Sequence, residues 1–429
     1  MTILFALLAI LFAWLSWNNV KLSAKVLVGL LPIYLLRVSL LRVPSTMLEI
    51  FIWILILSWI IKGLLEHRWK FGAFRTSVAE RVATYPIRLP VTLLLLAGFV
   101  ATLVAPDLQA AFGIYKAYAI EPLLVLVLLA TLFERKDLPD LFMALGITSI
   151  ALSLVAIFQY TTGLGIPEPW DTARRVTSIF AYPNALGLFL APIVSAGIVL
   201  SLRYKNKKNW RKLGFWIVVV LLGLVSMILS QTEAAFVSIP AALILLGLFI
   251  PSARKGTIAL TIFAVLLLAL SPWRGVIMQK LTLQDASGQV RLSQWSETWD
   301  YLSDGHWVFG AGLSGYPTAL VPYHSAEQYE IFQYPHNIFL NVWVELGIIG
   351  LILLLWFAYE IARLAYKNKN DVLSLAAFAA LLQMCIHGLV DVPFFKNDLA
   401  VLVWVFVAVI LIVNRYPNTP KPRPTKDFE

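Results

Sequence analysis

Leu213–Leu229 reads LGFWIVVVLLGLVSMIL, a run with no charge and no polar face to turn toward water. Such a run suits a helix in hydrocarbon, where ~20 apolar residues cross a bilayer. The residues before it, RYKNKKNWRK over Arg203–Lys212, are strongly basic. After it comes the short turn Ser230-Gln231-Thr232-Glu233 and a second apolar run, Ala234–Phe249. A basic connection on one side and a turn without Lys or Arg on the other is the pattern of a helical pair whose basic connection is cytoplasmic.

The pattern repeats in both directions. Further apolar runs lie at Thr2–Trp17, Val26–Leu41, Met47–Ile61, Val91–Ala105, Phe112–Phe133, Leu141–Tyr160 and Phe180–Leu202. Beyond the quoted pair they continue at Thr257–Leu270, Ile338–Ala362, Val372–Val390 and Leu399–Val413. Their number predicts an all-α polytopic membrane protein of about 12–13 transmembrane helices, with the first three crowded together. Residues 1–413 read as a single transmembrane unit, and Asn414–Glu429, with its four prolines, as a disordered cytoplasmic tail. The first run has no basic residue before it and no small-residue cleavage site after it, so it is expected to stay as an uncleaved helix.

Composition agrees. With 60% hydrophobic and 14% charged residues, the chain carries more apolar surface than one water-surrounded core could cover. The net charge of +10 is not a nucleic-acid signature, because the cations sit in short clusters between apolar runs. Those clusters, Lys62–Arg88, Arg135–Lys136, Arg203–Lys212, Arg254–Lys255, Arg363–Lys369 and the tail from Arg415, fall on one face and mark it as cytoplasmic. The one cysteine, Cys385, has no partner for a disulfide.

The opposite, extracytoplasmic face carries Thr161–Ile179, Ser271–Pro335 and Gly388–Asp398. The middle segment, residues 271–335, is too long for a bare connector and points to function. Within it Leu292, Trp295, Trp299 and Leu302 recur at helical spacing, which predicts a short helix over Val290–Leu302 lying on the outer membrane surface. No repeat of broken helices is present of the kind that marks a transporter.

Chemistry-bearing residues gather on this same face. His336, in Tyr334-Pro335-His336-Asn337, stands where the long loop enters a helix. A helix N-terminus favours a neutral imidazole and attracts phosphate, so His336 is a candidate general base; a helix-capping histidine at the interface is the alternative the residues leave open. Asn337, Asn341 and Glu345 share one face of that helix and are expected to look into protein or a watery cavity. Of the outer arginines, Arg37, Arg42, Arg174, Arg175, Arg274 and Arg291, each could bind phosphate or close a loop salt bridge. Lys116 and Glu121 lie five residues apart near the outer end of one span, a spacing that does not require them to pair. Glu233 marks an outer turn, and His387, Asp391, Lys396 and Asp398 form a polar cluster whose spacing fits no metal motif.

Three stretches resemble the O-antigen ligase and polymerase family of integral membrane glycosyltransferases. Arg175 to Gly187 is similar to the family's arginine followed by a Pro-Asn-x-x-Gly turn. Arg291 to Tyr301, with Phe309-Gly310-Ala311-Gly312, is similar to its arginine, tryptophan and Gly-x-Gly loop. Tyr334-Pro335-His336-Asn337, continuing to Glu345 and Gly350, is the most specific of the three. The resemblance implies en bloc transfer of an oligo- or polysaccharide from undecaprenyl pyrophosphate to an acceptor hydroxyl, on lipid A core, another glycan or another envelope molecule. The reaction would run on the outer face of the bacterial cytoplasmic membrane, invert the anomeric carbon, and use no metal, nucleotide sugar or cofactor. His336 would take the acceptor proton. The family's usual Ser-Arg-Gly is replaced by Gln231-Thr232-Glu233, so Arg175, Arg291 and Lys116 inherit the pyrophosphate. Asn337, Asn341, Glu345 and Glu233 are secondary candidates. A polymerase of lipid-linked repeats needs the same donor pocket, so sequence does not separate it from a ligase. A transporter, the reading from another class, would place ionisable groups at mid-membrane.

Overall fold

The computed structural model of the protein describes residues 2–40, 43–67, 71–82, 85–272, 274–326 and 328–416. Arg42 and nearly all of the 414–429 tail lie outside the described residues. Helices α1 (Thr2–Asn18) and α2 (Val20–Gly29) lead through a 3-10 turn, Leu31–Leu35, into a two-stranded antiparallel hairpin. Its strands are β1 (Arg37–Leu40) and β2 (Val43–Thr46), with Arg37 opposite Thr46. Next come α3 (Met47–Glu66), α4 (Phe71–Val82), α5 (Arg88–Leu103) and α6 (Leu108–Tyr115). A π turn at Lys116–Ile120 joins α6 to α7 (Glu121–Leu132), followed by α8 (Leu138–Thr162) and α9 (Pro183–Asn206). Then α10 (Trp210–Ser230), α11 (Glu233–Phe249) and α12 (Arg254–Leu270) precede the long segment. That segment holds α13 (Arg274–Leu281), α14 (Ala286–Tyr301) and α15 (Tyr316–Leu320). The chain closes with α16 (Ile338–Lys367), α17 (Val372–His387) and α18 (Asn397–Arg415).

Backbone amides have no water to bond in hydrocarbon, so apolar runs of this length fold as helices that satisfy their own hydrogen bonds. Among the described residues seven are long and apolar enough to span a membrane: α3, the α6–α7 pair, α8, α9, α10, α16 and α18. Four shorter apolar helices, α1, α5, α11 and α17, accompany them. The protein is thus an all-α polytopic membrane protein. Its most apolar windows differ in how far protein covers them: 83% of the window is buried in α9 and in α18, against 33% in α10 and α16. The first pair forms the centre of the bundle, and the second presents apolar side chains to lipid.

Twelve of the thirteen expected runs fall on helices among the described residues; the second does not. Val26–Leu41 breaks at Leu30, where Pro32 ends the regular helix in a 3-10 turn and the chain then reverses through the hairpin. The helix there, α2, starts earlier, at Val20. Lys21 and Lys25 at its start pair with Asp137 (2.9 Å) and Asp140 (2.6 Å) at the beginning of α8. Other basic residues gather at this end: Arg135 pairs with Asp371, Arg81 donates to the Thr131 carbonyl at 2.6 Å, and Arg415 to that of Ala130 at 3.2 Å. The hairpin and the long segment occupy the other end.

Within the long segment the expected helix forms as α14. In α14 the inward residues are Gln294, Glu297, Thr298 and Tyr301, while Leu292 and Trp299 are exposed. The polar face turns in because the segment supplies its partners. Glu297 accepts from the backbone amides of Ser325 (3.0 Å) and Ala326 (3.1 Å), and meets His324 Nδ1 at 3.2 Å. Two glycines let the segment lie against α16. A Cβ on Gly310 would sit 2.3 Å from the Val344 carbonyl oxygen, and one on Gly347 would sit 1.8 Å from that of Val308. Ala311 then donates to Val344 at 2.6 Å, and Ile348 to Trp307 at 3.0 Å.

Candidate functional site: the His336 cluster

His336 is held from three directions. Trp295 Nε1 of α14 donates to the Pro335 carbonyl at 2.8 Å, and Ile338 N donates to Gly388 O at 2.7 Å. Asn337 caps α16, accepting from Phe339 N (3.0 Å) and Leu340 N (3.1 Å), and donates to Leu389 O at 3.1 Å. The cap is therefore Asn337 and not the histidine. His336 itself adopts a left-handed backbone, φ 46°, which a residue with a Cβ holds only when its surroundings enforce it.

The imidazole is oriented by Gln294. His336 Nδ1 lies 3.0 Å from Gln294 Oε1; with the amide oxygen facing the ring as acceptor, the proton sits on Nδ1 and the lone pair on Nε2. Among the described residues Nε2 has no hydrogen-bond partner. The rings of Phe332 and Tyr334 flank the imidazole at 5.1 Å each. Burial pushes the His336 pKa below the usual imidazole value; the Asp391 carboxylate opposes this and the Arg291 guanidinium adds to it. The ring is neutral at pH 7, as a general base must be.

Arg291 lies one turn before Gln294 on α14. Its Nε donates to Val390 O at 2.7 Å and one terminal nitrogen donates to Ser287 O at 3.2 Å, leaving the other terminal nitrogen without a bond among the described residues. Asp391 is buried and accepts from Val392 N at 2.8 Å. His387, also buried, meets Gln383 at 3.3 Å. Lys396 lies 4.0 Å over the Tyr182 ring, and Tyr182 is hydrogen-bonded to Tyr334. Burial lowers the Lys396 pKa, with Asp398 and Asp391 acting against it, and among the described residues no carboxylate stands within ion-pair distance. The polar cluster of the last loop thus joins the His336 site through Arg291, Tyr182 and Tyr334.

Other expected residues are placed elsewhere. Arg175 donates to Ser230 O at 3.3 Å and stacks on Trp170 at 5.0 Å. It reaches the cluster only indirectly, through Thr232, whose hydroxyl donates to Pro183 O at 3.3 Å beside Tyr182. Glu233 pairs with Lys280. Asn341 and Glu345 are buried under the long segment, where Glu345 accepts from Ser314 N at 3.1 Å. Their face therefore looks into packed protein. Arg174 and Arg274 are exposed.

Lys116 corrects an expectation. It bonds Glu49 and lies 3.6 Å from Glu121, because the π turn brings residues five apart into line. Glu49 was not singled out in the sequence. It also accepts from Ser45 (2.9 Å), Thr46 (3.2 Å) and Asn397 (2.9 Å). This group lines a cleft of about 590 Å³ between the hairpin and α6. Tyr118 on the cleft wall meets Phe395 edge to face at 5.0 Å, and Phe395 meets Tyr334 in the same way at 5.5 Å, so the cleft adjoins the His336 cluster.

Sequence reasoning missed Gln294, Tyr182 and Glu49. Gln294 was within reach, since it follows Arg291 by three residues on one helix. The other two take their meaning from contacts across the bundle, which no local pattern encodes.

Residues 218–355 match the family model described as O-antigen ligase. The matched stretch runs from α10 through the long segment into α16 and contains Arg291, Gln294 and His336. It supports placing the chain in the O-antigen ligase and polymerase family, with a function of that type. No curated protein matches the chain.

Proposed function

We propose that this protein transfers an oligo- or polysaccharide en bloc from undecaprenyl pyrophosphate to an acceptor hydroxyl at the outer face of the cytoplasmic membrane. The observation that carries the reading is His336: a neutral imidazole in a constrained backbone, its Nδ1 tied to Gln294 and its Nε2 unengaged. Nε2 removes the acceptor proton as the hydroxyl oxygen attacks the anomeric carbon. The bond from that carbon to the pyrophosphate oxygen breaks, and charge grows on the leaving group.

Arg291 meets that charge with its unbonded terminal nitrogen, and the Val390 and Ser287 carbonyls hold its orientation. Arg175, whose Nε donates to Ser230 O, is the second cation assigned to the donor. Lys116 is already bound by two carboxylates, so it is assigned to shaping the adjoining cleft. Attack from the face opposite the leaving group inverts the anomeric carbon. General-base assistance of this kind contributes about 10²–10⁴-fold.

The test is a reconstituted reaction with an undecaprenyl pyrophosphate-linked oligosaccharide and candidate acceptors. Release of undecaprenyl pyrophosphate that requires His336 supports a glycan transferase. Glycan on a new acceptor identifies a ligase, and a ladder on the lipid carrier identifies a polymerase. Binding without turnover for every acceptor, unchanged by His336→Ala, would move the assignment to a transporter.

A further inference from the structure

The loop between α17 and α18 carries a cation that the proposed chemistry leaves unused. Lys396 directly precedes α18; its amide donates to Phe394 O at 2.9 Å and its carbonyl accepts from Ala400 N at 2.8 Å, so its backbone is held on both sides. The half-buried side chain lies across Tyr182, with Nζ 4.0 Å from the ring centroid. A ring face attracts a cation but leaves its three donors without an oxygen acceptor. Lys21, Lys25, Lys116 and Lys280 each meet a carboxylate. Lys396 does not: among the described residues it has no ion pair or hydrogen bond from Nζ. The charges of Asp398 and Asp391 oppose the effect of burial and favour the ammonium, yet neither acid caps it.

Two contacts place this ammonium beside the His336 cluster. Tyr182 is hydrogen-bonded to Tyr334, whose ring flanks the imidazole at 5.1 Å. Phe395, the residue before Lys396, meets the same Tyr334 edge to face at 5.5 Å. The loop also orients Arg291, whose Nε donates to Val390 O at 2.7 Å. One loop thus fixes two cations with unused donors, a guanidinium and an ammonium, next to one imidazole. A forked guanidinium suits one phosphate, and an ammonium supplies a point charge to its neighbour. Two phosphates in series would use both.

We infer that Lys396 contacts the lipid-bearing phosphate of the donor's diphosphate while Arg291 holds the sugar-bearing one, so that the site selects a diphosphate over a monophosphate carrier. The inference rests on the proposed function for the identity of the donor and assigns Lys396 a part in recognising it. Lys396 is then a specificity-determining residue, and Tyr182 and Phe395 position it.

The test is binding of undecaprenyl diphosphate and undecaprenyl phosphate to the purified full-length protein in neutral detergent, read by native mass spectrometry. Wild type should hold the diphosphate about tenfold more tightly, the size of one charge-assisted contact. Lys396→Gln should remove that preference and leave monophosphate binding unchanged, and Lys396→Arg, which keeps the charge, should restore most of it. Arg274→Gln, an exposed arginine elsewhere on the long segment, should change nothing. A measurement on wild type needs no variant to fold: undecaprenyl diphosphate should slow acetylation of Lys396 by acetic anhydride, and undecaprenyl phosphate should not.

Equal loss of both lipids in Lys396→Gln would make Lys396 a structural residue and overturn the inference. So would a wild type that does not distinguish the two lipids, a Lys396→Gln that binds as wild type does, a Lys396→Arg that behaves like Lys396→Gln, an equal loss in Arg274→Gln, or acetylation that the diphosphate does not slow. Failure of the proposed function looks different: no His336-dependent release of undecaprenyl pyrophosphate, with the Lys396-dependent preference for the diphosphate intact.

Discussion

The His336 cluster and the Glu49 cleft lie side by side yet are built on opposite principles. In the cleft, polar groups find each other: one carboxylate collects four donors, and Lys116 is shared between two acids. In the cluster they are left short. His336 Nε2 and one terminal nitrogen of Arg291 have no partners among the described residues, and the Gln294 amide nitrogen is buried without one. Of these only the Gln294 amide nitrogen is buried, and leaving a buried polar group unsatisfied costs about 1–3 kcal/mol. A saturated network holds shape, and an incomplete one leaves groups open to a substrate.

That contrast can be broken by substitution. Arg291→Gln removes charge from the incomplete side and should cut transfer by about 10²–10³-fold, as removal of one donor to a developing anion does, with little change in thermal stability. Comparable losses of stability and activity would make Arg291 a structural residue.

Gln294→Glu sharpens the account of His336. Wild-type transfer should be flat with pH above neutrality and fall on the acid side below the usual imidazole pKa of ~6.5, because burial disfavours the protonated ring. A carboxylate at 294 favours the imidazolium, so the acid limb should move up by about one unit or more, a tenfold loss on that limb. A pH–rate profile that does not move would detach Gln294 from the base.

Glu49→Gln probes the saturated side. Loss of charge-assisted bonds should lower stability by about 1–3 kcal/mol, read as a fall in melting temperature, while transfer in the surviving folded protein changes far less than in Arg291→Gln. A rate loss as large as that of Arg291→Gln would erase the distinction between the two regions.

The smallest effect belongs to Glu297, outside both. Burial raises its pKa, but hydrogen bonds from His324 and the 325–326 backbone outweigh this and hold it below the ordinary value. Its contribution to stability is therefore complete above the unfolded pKa of ~4.3 and is lost as pH falls through the depressed folded value. Fluorescence of Trp295 and Trp299, on the same helix, should report loosening of the long segment in that acid window, and Glu297→Gln should abolish the step.

How much of this was legible depends on the kind of contact. Apolar runs announce helices because lipid admits few alternatives, and the run that did not form one is Val26–Leu41, where Pro32 and a hairpin interrupt a run that hydropathy sees as continuous. His336 and Arg291 stood out because charged and ionisable groups are rare in such a chain. The partners that define them did not. Gln294 looked like one polar residue among many on α14, whose buried face is polar because a distant loop fills its bonds. Lys116 and Glu121 seemed unrelated because α-helical geometry was assumed where a π turn intervenes.

The most direct test of the central claim is single-turnover transfer by reconstituted protein, His336→Ala against wild type, with donor binding measured on the same preparations. The account predicts a loss of about 10²–10⁴-fold in transfer with donor binding retained. Transfer at the wild-type rate by His336→Ala would contradict it, and the base would have to be sought elsewhere.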